Sequence, residues 1–493
     1  MSLPARRATA TAALLLLALL VAWQAKRRSF GELAWPDEFI YLVGARNLVE
    51  HGSLDTHYYL THSLLARGYP HRDVHMPGYL LVLAPAVAAL GTTLAAGAAL
   101  NVALFLAATL LLRTVARRLT GSEAAAFVTA ALFTVLPPFP GYLMIVYPEL
   151  LAAALFLAQL AWLLRGPAGT RHAFVAGALY GLGPLVRETL LLALPVFLAR
   201  LRPRELLRGF LPGALLSFAV LVAPFARDRA VHRNGMYPSI LEDAGRSPEP
   251  LATLGRALAA NLGTNLEQLR TLAPLERAED ATLAFLGLLA LGAGLGWRVL
   301  SGENRRLLAG TLASFALLLA ASLLLYVIRE RGGVWGGVRA FMFLAPPLSA
   351  LLVAALWRLP RPGHRAAAIA AIVVACLWLD DAQLRFFART KGSVHEDERR
   401  NASYVESYLD RQPPGRVLGS LFLYGLERWP VEVIWSPPND RRDLERLERT
   451  VGFDFAVVHW KSRRREFFVR NPAYLRVNRD DPNADLLIFR RLR

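Results

Sequence analysis

The chain has 493 residues, of which 55% are hydrophobic and 19% charged, and its 56 Lys and Arg against 38 Asp and Glu leave a formal charge of +18. A soluble chain carries nearer a quarter charged residues. Here the apolar excess comes in blocks such as TAALLLLALLVAW and LLAGTLASFALLLAASLLLYVI, and the second is long enough to cross a hydrocarbon core about 30 Å thick at about 1.5 Å per residue. A soluble enzyme and a disordered chain are excluded, and the expected fold class is an α-helical polytopic membrane protein.

In chain order, MSLPARRATATAALLLLALLVAW has the basic start and apolar core of a signal peptide, but the following QAKRRSF offers no small-residue cleavage site. It reads as an uncleaved first span, near 9–23, with a cytoplasmic N-terminus. Further spans are expected near 93–112, 123–140, 142–164, 172–185, 188–201, 207–225, 280–297, 306–328, 340–357 and 364–379. The run 77–91, PGYLLVLAPAVAALG, is short, opens on Pro-Gly and contains Pro85. As a separate span it would turn every later Arg-rich linker outward. As a re-entrant segment, or one that continues into 93–112, it leaves them inside, as the positive-inside rule prefers. The second option gives about eleven transmembrane helices, in a range of about 11–13, with an external C-terminus.

The basic residues follow the same pattern. RTVARR at 113–118, RLRPRELLR at 200–208, NRR at 304–306 and RLPRPGHR at 358–365 all lie between apolar blocks, where they orient spans and attract anionic lipid rather than nucleic acid. The single cysteine, Cys376, sits in AAIVVACLWL and allows neither an intrachain disulfide nor a cysteine metal cluster.

This topology exposes residues 24–76, the turn Pro140–Tyr142, the loop 226–279 with the turn 329–339, a hairpin tip at Arg187, Glu188 and Thr189, and the tail 380–493. External segments of that length are where function is expected. The tail is polar. In it Tyr404, Val405, Tyr408 and Leu409 share one helical face, RVLGSLF, VEVIW, FDFAVVHW and ADLLIF read as short buried strands, and DRRDLERLERT reads as a charged helix. The expected organisation is therefore a transmembrane domain over 1–379, including the external loop 24–76, and a small C-terminal α/β extramembrane domain over 380–493.

The stretch WPDEFIYLVGARNLVEHG opens on Pro36, with Asp37 and Glu38 where a helix dipole favours negative charge, and Phe39, Ile40, Val43, Leu48 and Val49 form an apolar stripe suited to the outer interface. Asp37 and Glu38 either start a surface helix or serve chemistry. Glu149 follows Tyr147 and Pro148 at the external end of an apolar span, where an ionisable group either snorkels or faces a cavity or partner. Arg187, Arg329, Arg331 and Arg339 stand at external span ends, where guanidinium forks either grip a phosphate or meet lipid head groups non-specifically. His51, His57, His62, His71 and His75 fall in the first external segment, but their spacings match no zinc signature. Asn401-Ala-Ser403 matches the short sequon pattern.

The order of WPDE, YLVGARNLVEHG, HMPGYLLVLAP, YPELLAAALFLA and AGALYGLGPLVRETLLLALPVFL after a first span resembles the lipid-carrier-dependent GT-C glycosyltransferases, over about residues 10–360. The nearest branches are the protein mannosyltransferases and bacterial aminoarabinose transferases. The resemblance implies transfer of a sugar from a polyprenyl-phosphate-linked donor to a hydroxyl acceptor on a glycan, lipid or protein, at the external face of a bacterial-type plasma membrane. It maps the family's first-loop catalytic carboxylate onto Asp37, with Glu38 adjacent and Glu149 as a further acidic group. Arg187, Arg339, His75 and Tyr147 become substrate-binding candidates. A divalent cation, Mg2+ or Mn2+, held by Asp37 and Glu149 is compatible with oxygen ligands. The rival from another class is a transporter or lipid flippase, which would place ionisable groups near the midplane in repeated halves; no repeat is visible.

Overall fold

The structure is a computed structural model that describes residues 3–27, 36–53, 58–60, 77–137, 139–166, 169–223, 247–270, 278–325, 342–413, 415–419, 432–435, 440–479 and 485–492. They belong to two compact units, one from Met1–Gly31, Met76–Phe225 and Pro238–Ala388, the other from Glu32–His75, Ala226–Tyr237 and Arg389–Arg493.

The first unit is helical. Its Leu94–Thr120 helix begins where the Thr93 hydroxyl accepts the Ala96 N–H and ends at Gly121, whose φ of 68° places it in the left-handed region. With 27 residues the helix is about 40 Å long. Together with Pro203–Val222 and Pro362–Ala382 it makes three helices among the described residues that are long and apolar enough to cross a membrane. Leu207, Leu215, Val220, Val374 and Trp378 are each at least 60% exposed on these last two helices. Apolar faces of that kind are stable against hydrocarbon rather than water, and the chain is an integral membrane protein.

In lipid the hydrophobic effect no longer drives helices together, so close contact between backbones has to do more of the work. The Thr170–Gly181 and Pro203–Val222 helices meet through two glycine pairs, Gly177 with Gly181 and Gly209 with Gly213. A Cβ on Gly177 would sit 2.0 Å from the Phe210 carbonyl oxygen, and one on Gly213 would sit 2.1 Å from that of Phe174. π-helical turns at Leu206–Phe210 and Phe218–Val222 interrupt the second helix of the pair.

The structure corrects several expectations. The Pro77–Leu90 helix does not continue into the next one, because Gly91 turns left-handed (φ 78°) and Thr93 caps a new helix. At 14 residues it reaches about 21 Å, short of a hydrocarbon core. The helix expected over 123–140 stops at Phe133, ahead of Pro137, and the chain continues as a 3-10 helix at Phe139–Met144. That segment is buried within the unit, with Tyr142 only 1% exposed. The Leu3–Arg27 helix is tied within this unit by buried polar groups. Gln24 donates to the Thr134 carbonyl at 2.8 Å, and Arg27 pairs with Asp380 at 3.3 Å.

The second unit is an α/β sandwich around a six-stranded sheet of order β1-β3-β2-β4-β6-β5. Its strands are β1 (Tyr58–Leu60), β2 (Arg416–Leu418), β3 (Glu432–Trp435), β4 (Phe455–His459), β5 (Tyr474–Arg476) and β6 (Leu486–Arg491). β1 to β4 pair in parallel, and β6 runs antiparallel to β4 and β5. Side chains alternate between the faces, as strand geometry requires. Val417, Phe455, Val457 and Ile488 join Val43, Val405 and Leu409 on one face, while Leu418, Ala456, Val458 and Phe489 join Leu444, Leu447 and Phe468 on the other. Burial on both sides explains why these strands read as continuous apolar runs.

The Pro36–His51 helix contributes Val43 to this core and buries Ile40, Tyr41, Leu42 and Ala45, so it is an interior helix rather than one lying in the membrane interface. The expected charged helix is present at Arg441–Thr450, capped by Asp440, and Val405 and Leu409 are fully buried on the Pro362–Leu409 helix.

Gly177→Ala should lower the thermal stability of the purified protein by about 1–3 kcal/mol through overpacking. Gly255→Ala, where an added Cβ meets nothing within 4 Å, should leave it equal or slightly raised. Equal midpoints for Gly177→Ala and the parent in a thermal unfolding assay in detergent would contradict the close helix contact.

Burial pushes the Tyr474 phenol well above its ordinary range, and the hydrogen bond its hydroxyl donates to the Glu448 carboxylate at 2.8 Å adds to the effect. The unfolded phenol ionises near about pH 10 while the folded one stays neutral. Stability from this group is therefore complete below about pH 10 and declines as the pH rises further. Hydrogen-exchange protection factors in β5 and β6 of the full chain, with the base-catalysed intrinsic rate divided out, should fall above that pH, and Tyr474→Phe should flatten the dependence.

Candidate functional site

Pro148 halts the preceding segment, so that Glu149 is the first residue of the Glu149–Leu163 helix, where the N-terminal backbone dipoles favour a negative charge. The residue is only 2% exposed. Dipoles alone do not offset the cost of burying a carboxylate, and a partner is supplied from another segment: Arg187 Nη1 donates to Glu149 Oε1. Arg187 sits in an extended break (φ −153°, ψ 130°) between the Gly183–Val186 turn of helix and the 3-10 helix Glu188–Ala193. Its side chain remains 20% exposed, against 1% for that of Glu149. The pair therefore consists of a buried carboxylate that orients a guanidinium, and a guanidinium whose outer part is accessible. Such a fork has five N–H donors and matches a phosphate or carboxylate bidentately.

A neutral network supports the pair. Asn101, fully buried on the Leu94–Thr120 helix, donates to the carbonyls of Tyr142 (3.0 Å) and Ile145 (2.5 Å) and accepts the Tyr79 hydroxyl at 3.0 Å. One amide thus fixes the segment that leads into Tyr147 and Glu149. Tyr147 is 2% exposed, with its ring centroid 6.3 Å from that of Tyr142. On the Arg187 side, Gly78 at the start of the Pro77–Leu90 helix presses on the chain just before the arginine. A Cβ there would lie 2.6 Å from the Leu185 carbonyl oxygen.

Of the residues expected from the sequence, Glu149, Arg187 and Tyr147 fall together in the first unit. Asp37 and Glu38 belong to the second, in the first turn of Pro36–His51. Glu38 is fully buried, and the side chain of Asp37, like all of His75, Arg329, Arg331 and Arg339, lies outside the described residues. Among the described residues no three His, Cys, Asp or Glu side chains gather into a cation site, and Glu149 is committed to Arg187. The Asp37–Glu149 cation reading therefore gains no donor set here. Sequence reasoning missed Asn101 and Gly78. The signal for Asn101 was present, as a lone amide inside LAAGAALNVALFLAATLLL, because a polar group within a span needs a partner.

Removing one member of the pair separates structure from function. Arg187→Ala leaves Glu149 buried without its cation and should lower stability by about 3 kcal/mol or more. Combining Glu149→Leu with Arg187→Met should restore most of the thermal midpoint. A double variant no more stable than Arg187→Ala would contradict the pairing.

The sequence matches no protein-family model and no curated protein. Solved structures do match in fold. ArnT from Cupriavidus metallidurans, in a structure bound to undecaprenyl phosphate, aligns over 97% of this chain and 97% of that chain, at 12% identity and a TM-score of 0.58. The oligosaccharyltransferase of Archaeoglobus fulgidus, tethered to an acceptor peptide, aligns over 91% of this chain and 69% of that chain, at 13% identity and a TM-score of 0.54. The arabinofuranosyltransferase AftD from Mycobacteria aligns over 97% of this chain but 41% of that chain, at 15% identity and a TM-score of 0.55. All three are GT-C glycosyltransferases, so the resemblance read from the sequence extends to a fold shared over most of the chain.

Proposed function

We propose that this protein is a membrane glycosyltransferase that moves a sugar from a polyprenyl-phosphate-linked donor to a hydroxyl acceptor at the external face of the membrane, where the C-terminal domain also lies. The observation that carries this reading is the buried carboxylate–guanidinium pair Glu149–Arg187, set in a fold shared over 97% of this chain with a protein solved bound to undecaprenyl phosphate. Arg187 is the phosphate-recognising group, and Glu149 is the residue that positions it. As the acceptor oxygen attacks the anomeric carbon, the bond from that carbon to the phosphate oxygen breaks, and the lipid phosphate leaves carrying the charge that Arg187 stabilises in a poorly hydrated setting. Direct displacement of this kind inverts the anomeric centre.

The acceptor proton goes to a carboxylate, and Asp37 is our assignment. Its neighbour Glu38 is 0% exposed, which supports Asp37 as the more accessible of the two carboxylates. A residue in the first turn of a helix has its neighbour about 100° away around the axis, so burial of one side chain does not entail burial of the other. Arg339, His75 and Tyr147 are assigned to substrate binding with Arg187.

Asp37→Asn keeps side-chain volume and capping ability while removing basicity. Transfer from polyprenyl-phosphate sugars by the purified variant should fall by about two to four orders of magnitude with donor binding retained. A near-normal rate would overturn the assignment, and a selective loss in Glu38→Gln would move the base by one residue.

A further inference from the structure

The second unit contains a cavity of about 750 Å³ beside the antiparallel edge of the sheet, lined by Trp460, Arg465, Arg476, Arg479 and Asp485 above a floor of Phe468, Tyr474 and Phe489. We propose that this cavity binds an anionic saccharide, a short stretch of glycan carrying carboxylate, phosphate or sulfate groups. On the transferase reading this ligand is the acceptor glycan. That identification rests on the proposed function, but the binding itself does not.

Four features point to this ligand chemistry. The volume lies in the range of pockets that enclose small ligands. The floor is closed, since Phe468, Tyr474 and Phe489 are 1%, 7% and 2% exposed and their rings pack on one another, Phe468 with Phe489 at 5.4 Å. Trp460 is a large apolar ring left 43% exposed at the rim, yet it is held in place. Its backbone N–H donates to the Asp485 carbonyl at 2.8 Å and its indole Nε1 donates to Asp485 Oδ1 at 3.1 Å. An aromatic ring immobilised in advance loses little entropy when a sugar's C–H face settles on it.

The lining is also strongly cationic, with three guanidiniums against one carboxylate, and the Lys461 ammonium stands 5.2 Å from the Trp460 ring. The Arg476 guanidinium is anchored by donating from Nε to Asn478 Oδ1 at 3.3 Å, and Asn478 is itself fully buried, donating to the Leu486 carbonyl and accepting the Ile488 N–H. A planar membrane surface would meet the arginines but would gain nothing from a concave site or from Asp485. A sugar uses both, because the Asp485 carboxylate accepts hydrogen bonds from hydroxyls while the arginines donate to the acidic groups.

The test is calorimetric titration of the full chain in detergent with hexagalacturonate, its methyl ester and a heparin hexasaccharide. At least one acidic hexamer should bind, with the methyl ester at least about tenfold weaker than hexagalacturonate if the latter is the binder. Trp460→Ala, and Arg465→Ala combined with Arg479→Ala, should each weaken the acidic hexamer by about tenfold or more, while Trp460→Phe should retain most of the affinity. Failure of both acidic hexamers to bind the parent would overturn the proposal. So would parent-like affinity in Trp460→Ala, which would mark a non-specific basic surface of the kind that meets lipid phosphate. Because the readout is binding, lost binding with transfer intact would remove this site alone, and intact binding without transfer would remove the transferase reading alone.

Discussion

A carboxylate held almost out of solvent next to an apolar helix is tolerable only if a cation comes to it, and that requirement organises the first unit around Glu149. The cation arrives from a segment 38 residues away in sequence, and the chain there must break its helix to deliver it. The extended backbone of Arg187 and the pressure of Gly78 on Leu185 follow from that demand. So does the rigidity of the approach to Glu149, where Asn101 donates to the carbonyls of Tyr142 and Ile145 in an irregular segment inside the unit, and the Ile145 carbonyl also accepts the Tyr147 N–H. An arginine that served only as a lipid-facing charge would need none of this support.

The same scarcity of driving force governs the packing. Because lipid tails are as apolar as leucine, helices cohere through contact and polar ties rather than through exclusion of water. The glycine pairs at Gly177–Gly181 and Gly209–Gly213 let two backbones touch, and the Gln24, Arg27 and Asp380 set ties the first helix to one more than 350 residues later. The exposed leucines of Pro203–Val222 take no part in this cohesion; their place is against lipid.

What was legible in the sequence follows from how local each signal is. The apolar blocks, the Arg441–Thr450 helix and the strands β2, β3, β4 and β6 depend on runs of residue type and could be read directly. β1 could not, because three residues from the first loop become a strand only by pairing with Val433, Ile434 and Trp435. β5 is equally short and is defined by its pairing with β6. The Pro36–His51 helix was legible as a helix, but its apolar stripe is the same whether it meets lipid or a sheet, and only the structure shows Val43 among Val405, Val417 and Phe455. In the site, Glu149 and Arg187 stood out individually as ionisable groups at span ends. Their partnership depends on a tertiary approach that no spacing encodes.

The net charge of +18 resolves into different physical roles once residues are placed. Arg117 and Arg118 close a long helix where its dipole favours cations. Arg187 compensates a buried carboxylate, a role in which charge and bidentate geometry matter together. Arg465, Arg476 and Arg479 line a cavity with an aromatic floor, where desolvation on one side strengthens any contact they make. Burial and partner distinguish these arginines, since their sequence context is similar: each lies near other basic or apolar residues. A surplus of positive charge in a membrane protein is therefore weak evidence about function in bulk and strong evidence at the few positions where the fold fixes a guanidinium beside a cavity or a buried anion.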